Sequence, residues 1–235
     1  MNSIQQHNEH VQQFFDRTEL YLKNSFGIKI RIDIVRYFLG GAQFSEILDI
    51  GCGDGSISIA LLEQSRQLTL LDISPEMLKK AKQNLPDKHV KEVRFIEGDY
   101  RNLQGSTQQY DVVLAIGILA HIHDPAAFFQ TLQQVVKPEG YLILQFTGKD
   151  HLLPQLHRWI RKHHYNINQV NKQEVLRAME ALQFSLVDAR QYGLTLPGFG
   201  YLPGDFLYRY ERFILNSKLL SRTGTDHMLL LQKKA

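Results

Sequence analysis

The chain of 235 residues has one cysteine, so it can form no disulfide within itself and no zinc site built on cysteine thiolates. A lone thiol suits a reducing compartment, and a cytoplasmic location is expected. No apolar run approaches the roughly 18 residues that would mark a membrane-spanning helix. The opening residues, Met1-Asn2-Ser3-Ile4-Gln5-Gln6-His7, lack the cationic lead and apolar run of a secretory signal. With 16 glycines and 7 prolines, and no visible repeat, the chain is neither collagen-like nor low in complexity. Net charge is also scarce: +3 overall is too little to announce a nucleic-acid partner. What is present is a 43% apolar fraction, enough for a sizeable core in one large α/β domain or two small ones.

The pattern along the chain favours one domain. Apolar positions Val11, Phe14, Phe15, Leu20, Tyr21 and Leu22 suggest an amphipathic helix over about 5–24, and a second helix is predicted from Ile28 to Leu39, stopped by Gly40-Gly41. Short apolar runs then alternate with helical segments. Strands are predicted at 47–50, 68–71, 93–96, 110–115 and 141–146, and helices at 56–64, 75–85 and 126–136. Such alternation with short connections predicts a parallel sheet covered by helices on both faces. Beyond it, a helix is expected at 171–182 with Asn171 as its cap, a strand at 184–189, a helix at 205–219 and a last strand at 227–232.

The sharpest motif is Asp49-Ile50-Gly51-Cys52-Gly53-Asp54-Gly55-Ser56, a strand that enters a glycine turn and leaves as a helix. Glycines let such a backbone bend tightly against a ligand, and in an open parallel sheet the turn lies at the ligand-binding carboxyl edge. The spacing is not the dinucleotide G-x-G-x-x-G: Gly55 comes one position early and Ser56 stands where glycine or alanine belongs. That disfavours a nicotinamide oxidoreductase. The stretch resembles the first motif of the class I S-adenosylmethionine-dependent methyltransferases. The likeness continues through Leu71-Asp72-Ile73-Ser74-Pro75-Glu76-Met77, Gly98-Asp99-Tyr100, Tyr110-Asp111-Val112-Val113 and Val136-Lys137-Pro138-Glu139-Gly140, covering about residues 44–147.

That resemblance implies a Rossmann-like α/β fold: a seven-stranded, mainly parallel sheet ordered 3-2-1-4-5-7-6, the last strand antiparallel, with helices on both faces and an N-terminal helical extension. It implies a single domain, with 1–42 as a helical lid, 43–148 as the cofactor half, and 149–235 as acceptor-side lid and final strands. The implied cofactor is S-adenosyl-L-methionine, leaving as S-adenosyl-L-homocysteine. Asp49, Gly51, Cys52 and Gly53 would wrap its methionine part. Asp72, with Ile73 and Met77 behind it, would accept from the ribose hydroxyls. Asp99 would accept from the adenine amino group, Tyr100 would lie along the ring, Ala115 and Ile116 would offer backbone nearby, and Tyr21 could close over the site. Each acid also has a structural use: Asp49 could cap the glycine turn, Asp72 could cap the next helix (where Ser74 is better placed), and Asp99 could be an ordinary turn aspartate. Cys52 reads as a small apolar filler.

The acceptor side is less explicit. His121 and His123, after the fourth strand, are first and second candidates for a general base, with a pocket-shaping role for His121 as the alternative. No third ligand accompanies them, so no metal is expected. The post-strand residues Ile116-Gly117-Ile118-Leu119 lack the proline-rich stretch of DNA amino-methyltransferases, and Cys52 is in the wrong loop for a cytosine-5 enzyme. A DNA partner is therefore not expected. A small-molecule O-, N- or C-methyltransferase fits best, with an RNA or protein methyltransferase, or a non-catalytic protein on the same fold, as alternatives. Residues 151–165 combine Trp159 and leucines with Arg158, Arg161 and Lys162, which suits either a lid or peripheral contact with a membrane surface. Leu194 to Tyr210 is rich in aromatics and could line an apolar or aromatic acceptor pocket. Charge divides unevenly: residues 151–235 carry 12 Lys/Arg against 6 Asp/Glu, so an anionic acceptor is a further expectation. Oligomeric state has no sequence signal.

Overall fold

A computed structural model of the chain describes residues 25–149, 170–193, 202–217 and 220–235. The first helix, α1 (Ser25–Leu39), buries Ile30, Ile34, Val35 and Leu39 along one face. It stops at Gly40, whose N–H donates to the Arg36 carbonyl at 2.9 Å. The chain then enters β1 (Phe44–Ile50), β2 (Ser65–Asp72), α2 (Pro75–Asn84), β3 (Val93–Glu97), β4 (Tyr110–Ile116), α3 (Pro125–Val135) and β5 (Val136–Thr147). After these come α4 (Lys172–Ala181), β6 (Phe184–Tyr192), α5 (Gly204–Asn216) and β7 (Asp226–Lys233).

The strands form one sheet in the order β3-β2-β1-β4-β5-β7-β6. β1 to β5 pair in parallel, and β7 runs antiparallel to both its neighbours. This is the order and the strand reversal that the family likeness implied. Because side chains alternate across a strand, the apolar runs feed two cores. On one face Leu48, Val113 and Leu144 pack with Phe128 and Leu132 of α3 and Met179 of α4. On the other, Ile47, Val112 and Ile143 pack with Ile30 and Ile34 of α1 and Leu78 of α2.

Local signals in the sequence set most helix starts. Ser74 Oγ accepts from the Met77 N–H at 3.1 Å, with Pro75 in the first turn. Asp124 does the same for Ala127, and Asn171 accepts from Gln173 at 2.7 Å. Two expectations are corrected. Residues 56–64 do not form an α-helix: after turns, only Ile59–Gln64 coils, as a 3-10 helix. Ser58 Oγ bonds to Asp49 and to the Gly55 carbonyl, which competes with a helical ladder, and β2 already begins at Ser65. The fifth strand does not begin at 141: residues 136–140 form its first part. Val136 pairs with Tyr110, Glu139 takes φ 62°, and the register shifts before Val112 resumes pairing at Tyr141.

Asp111 ties three strands together at their other end. Its Oδ2 accepts from the Ser45 and Glu46 N–H groups at 2.8 Å each, and its Oδ1 from Lys137 Nζ at 2.8 Å. Burial alone would raise its pKa, but the bonds from Lys137, Glu46 and Ser45 outweigh that and hold it below the usual carboxylate range. Its contribution is therefore present above the unfolded pKa near 4 and is lost as pH falls through the lowered folded value. Asp111→Ala is expected to destabilise the fold by about 2 kcal/mol at pH 7 in urea titrations, with the gap narrowing below about pH 4. Equal stability at pH 7 would remove the staple role.

Candidate functional site

The carboxyl ends of β1, β2 and β4 meet at one edge of the sheet. Leaving β1, the chain takes left-handed conformations at Gly51, Gly53 and Gly55, with φ of 73°, 55° and 72°. At Gly55 a Cβ would also stand 2.9 Å from Ile59 Cδ1 and 3.2 Å from the Ala81 methyl, so only glycine fits. The turn is strapped to β2: the Gly51 and Cys52 N–H groups donate to the Leu71 carbonyl at 2.8 and 3.1 Å. The Gly53 N–H donates to Asp72 Oδ2 at 2.8 Å, while Asp72 Oδ1 accepts from the Ser74 N–H at 2.9 Å.

Asp49, the penultimate residue of β1, is 4% exposed. Its carboxylate takes a 2.7 Å hydrogen bond from Ser58 Oγ. Burial raises its pKa to about 7; the Ser58 bond opposes the rise and the Asp72 charge adds to it. Two buried acids thus flank the glycine turn, and Asp49 forms no ion pair among the described residues. Such a place favours a ligand that brings positive charge and hydrogen-bond donors. The Cys52 thiol is buried, and burial, then Asp49, Asp72 and Asp54, push its pKa up. Both features disfavour a reactive thiolate.

The remaining predicted residues divide. Ala115 and Ile116 end β4, both buried, and Gly117 follows at φ 81°. Ile73 is half-buried beside Asp72, and Met77 is buried at the start of α2. Asp99 is engaged locally: Oδ1 accepts from the Arg101 N–H at 2.9 Å and Nε at 3.0 Å, and Oδ2 from Nη2 at 2.9 Å. The Tyr100 ring turns into the core, edge-on to Phe128 with centroids 4.9 Å apart. His121 is half-buried in a single 3-10 turn (Leu119–His121), its N–H donating to the Ile118 carbonyl at 2.8 Å, and His123 is exposed. Tyr21 and residues 151–165 lie outside the described residues. So do Phe199 and Tyr201, whereas Phe206, Tyr208 and Tyr210 fall on α5. Among the described residues no group of three acids, histidines or cysteines could hold a metal ion, and no helix is long and apolar enough to cross a membrane.

Residues 44–189, from the first residue of β1 into β6, match the methyltransferase domain family. The chain belongs to that family. Ubiquinone biosynthesis O-methyltransferase of Yersinia enterocolitica is 31% identical to it over 121 residues, 52% of this chain and 50% of that protein. The chain thus matches about half the length of such curated relatives. Among solved structures, a possible histamine N-methyltransferase of Thermotoga maritima covers 95% of this chain with 99% of its own, at 16% identity and TM-score 0.68. Magnesium protoporphyrin IX methyltransferase of Synechocystis PCC 6803, with bound S-adenosyl-L-homocysteine, covers 97% of this chain with 100% of its own, at 16% identity and TM-score 0.64. These likenesses establish the fold.

The methyltransferase domain also holds polar residues that sequence reading passed over. Ser58 meets Asp49, nine residues away. Gln145 breaks an otherwise apolar run in β5 and meets Asp226, 81 residues away. Glu211 is buried on α5 and accepts from the Gly193 N–H at 3.1 Å. The one available signal was a polar residue on an apolar stripe: Gln145 within Leu142-Ile143-Leu144-Gln145-Phe146, and Glu211 within the buried face of α5.

Proposed function

We propose that this domain transfers a methyl group from S-adenosyl-L-methionine to a small-molecule O-, N- or C-acceptor, releasing S-adenosyl-L-homocysteine. The observation that carries the reading is the pair of buried carboxylates, Asp49 and Asp72, on either side of a left-handed glycine turn at the carboxyl edge of the sheet. The donor set fits the cofactor's chemistry: acids for an ammonium and for ribose hydroxyls, beside a turn whose glycines take the left-handed backbone. When bound, the cofactor supplies a methyl group on a sulfonium, open to in-line displacement.

In this reading the chain's residues bind and orient. Asp49 faces the cationic methionine end, held in place by Ser58. Asp72 accepts from the ribose while keeping the glycine turn docked through Gly53. Gly51, Cys52 and Gly53 contribute backbone, and Ile73 and Met77 form the wall at the start of α2. Asp99 retains lone pairs for the adenine amino group beyond those given to Arg101, while Tyr100 supports that corner from within the core. Ala115 and Ile116 bring β4 backbone to the edge. His121, and after it His123, stand on the loop leaving β4, where an acceptor proton could be taken. A small, apolar or aromatic acceptor is supported by the ubiquinone-pathway name of the relative, and a cytoplasmic location by the lone buried cysteine.

Calorimetric titration of the purified protein with S-adenosyl-L-homocysteine tests this. Saturable one-to-one binding with Kd below about 100 μM is expected. No heat and no thermal shift at millimolar ligand would overturn the cofactor and, with it, the reaction.

A further inference from the structure

At the other side of the β4 carboxyl end lies a second buried polar group. Gln145 is the antepenultimate residue of β5; it pairs with Ile116 on β4 and Met228 on β7 and is 2% exposed. Its amide orientation is set by its neighbour. Nε2 donates to Asp226 Oδ1 at 3.1 Å, the same oxygen that accepts from Thr147 Oγ1 at 2.7 Å. Turning the amide over would place its carbonyl oxygen against a carboxylate. The carbonyl oxygen, Oε1, is therefore held away from Asp226, and it has no hydrogen-bond partner.

A buried amide oxygen left unbonded is destabilising, and native folds keep such groups where something else supplies the partner. Oε1 points toward Gly117, 3.7 Å from where a Cβ would stand on that residue. Gly117 is the first residue past β4, at φ 81°, on the same loop as His121. Behind Oε1 Asp226 is in contact, Glu211 is buried on α5, and Arg31 donates to Tyr192 near both acids.

We propose that Gln145 is a specificity determinant of the acceptor pocket, its Oε1 accepting a hydrogen bond from a hydroxyl or amino group of a neutral methyl acceptor. The inference rests on the methyl-transfer reading given above. It selects for acceptors with an O–H or N–H donor, since Gln145 presents an acceptor oxygen there and its amide nitrogen is already given to Asp226. It also argues against a negatively charged group at this point of the acceptor, contrary to the anionic expectation drawn from the basic residues 151–235.

The test uses full-length protein saturated with S-adenosyl-L-homocysteine and four probe pairs: phenol and anisole, catechol and veratrole, aniline and N,N-dimethylaniline, cyclohexanol and methoxycyclohexane. Affinities are read by ligand-observed NMR titration. At least one donor-bearing probe should bind about tenfold more tightly than its blocked partner, and the preference should fall below about threefold in Gln145→Met. S-adenosyl-L-homocysteine affinity should change less than about twofold in that variant. Equal binding within every pair, binding by none of the probes, or a preference that survives in Gln145→Met would overturn the proposal. Should Gln145→Met fail to fold, a crystal structure of the wild type with its preferred probe decides. The probe's donor atom within hydrogen-bond reach of Gln145 Oε1 supports the proposal, and a probe bound elsewhere refutes it. Failure of the wild type to bind S-adenosyl-L-homocysteine would instead sink the cofactor reading.

Discussion

Asp72→Ala is expected to weaken S-adenosyl-L-methionine binding by about 100-fold or more, the largest single loss available in the cofactor half. Two effects combine. The variant removes the carboxylate proposed to accept from the ribose, and hydrogen bonds to a charged group are each worth about 1.5–3 kcal/mol. It also cuts the tether from Gly53 at 2.8 Å and the bond from Ser74 at 2.9 Å, so the glycine turn loses its dock on β2. Asp72→Asn separates the two: its remaining carbonyl oxygen can keep one backbone bond while the charge is gone. The expected order of affinity for S-adenosyl-L-homocysteine is wild type, then Asn, then Ala. Titration calorimetry showing the alanine variant within threefold of the wild type would exclude Asp72 from the cofactor site.

The second large effect concerns Asp49. Its pKa is raised to about 7, chiefly by burial. For an acid whose folded pKa lies above its unfolded value, the folded state binds more protons between the two, so stability falls as pH rises through that window. Between about pH 4 and pH 7 the ligand-free protein should lose roughly 4 kcal/mol through this group, with no further change above. Asp49→Asn keeps the shape and removes the titration. The variant should match the wild type near pH 4 and exceed it by several kcal/mol at pH 8 in denaturant titrations. Its cofactor affinity should move the other way, at least about tenfold weaker at pH 7.5, because the ionised carboxylate is what a cationic ligand needs. Binding should accordingly release close to one proton near pH 6 in the wild type and none attributable to this site in the variant, measured in buffers of different ionisation enthalpy. Identical proton counts in the two proteins would dismiss Asp49 as the titrating partner of the cofactor.

The two acids are coupled, since the Asp72 charge helps to raise Asp49. Asp72→Ala should therefore flatten part of the Asp49 pH dependence, which makes the double variant informative. A polar group so placed reduces the stability of the empty protein and is compensated when ligand arrives. Asp111, at the opposite end of β4, shows the contrasting case of a carboxylate given a lysine and two backbone donors, where the charge serves the fold alone.

The local half of this structure was legible residue by residue. Ser74, Pro75, Asp124, Pro125 and Asn171 start helices where their side chains or fixed φ satisfy the first turn, and these are properties of four neighbouring residues. Gly51, Gly53 and Gly55 announced a tight turn, which the structure builds from left-handed backbone at all three. Alternation of apolar runs and helices dictated a covered parallel sheet, and the strand order came from the likeness to the methyltransferase family. Where the prediction slipped, at 56–64 and at 136–140, the decision lay outside the segment: in Asp49 reaching for Ser58, and in Tyr110 pairing with Val136.

Sequence by itself thus determined the fold class, the glycine turn and the positions of the acids around it, because each depends on neighbours along the chain or on a motif of fixed spacing. Only the tertiary structure decided what those acids are worth. Nothing in the residue string says that Asp49 is enclosed and titrates near 7, that Arg101 takes up Asp99, or that Tyr100 faces Phe128. Nor does it say that Gln145 gives its amide nitrogen to Asp226 and leaves its oxygen beside Gly117. Burial and long-range pairing set local dielectric and hydrogen-bond supply, and both are created when distant segments close around a side chain.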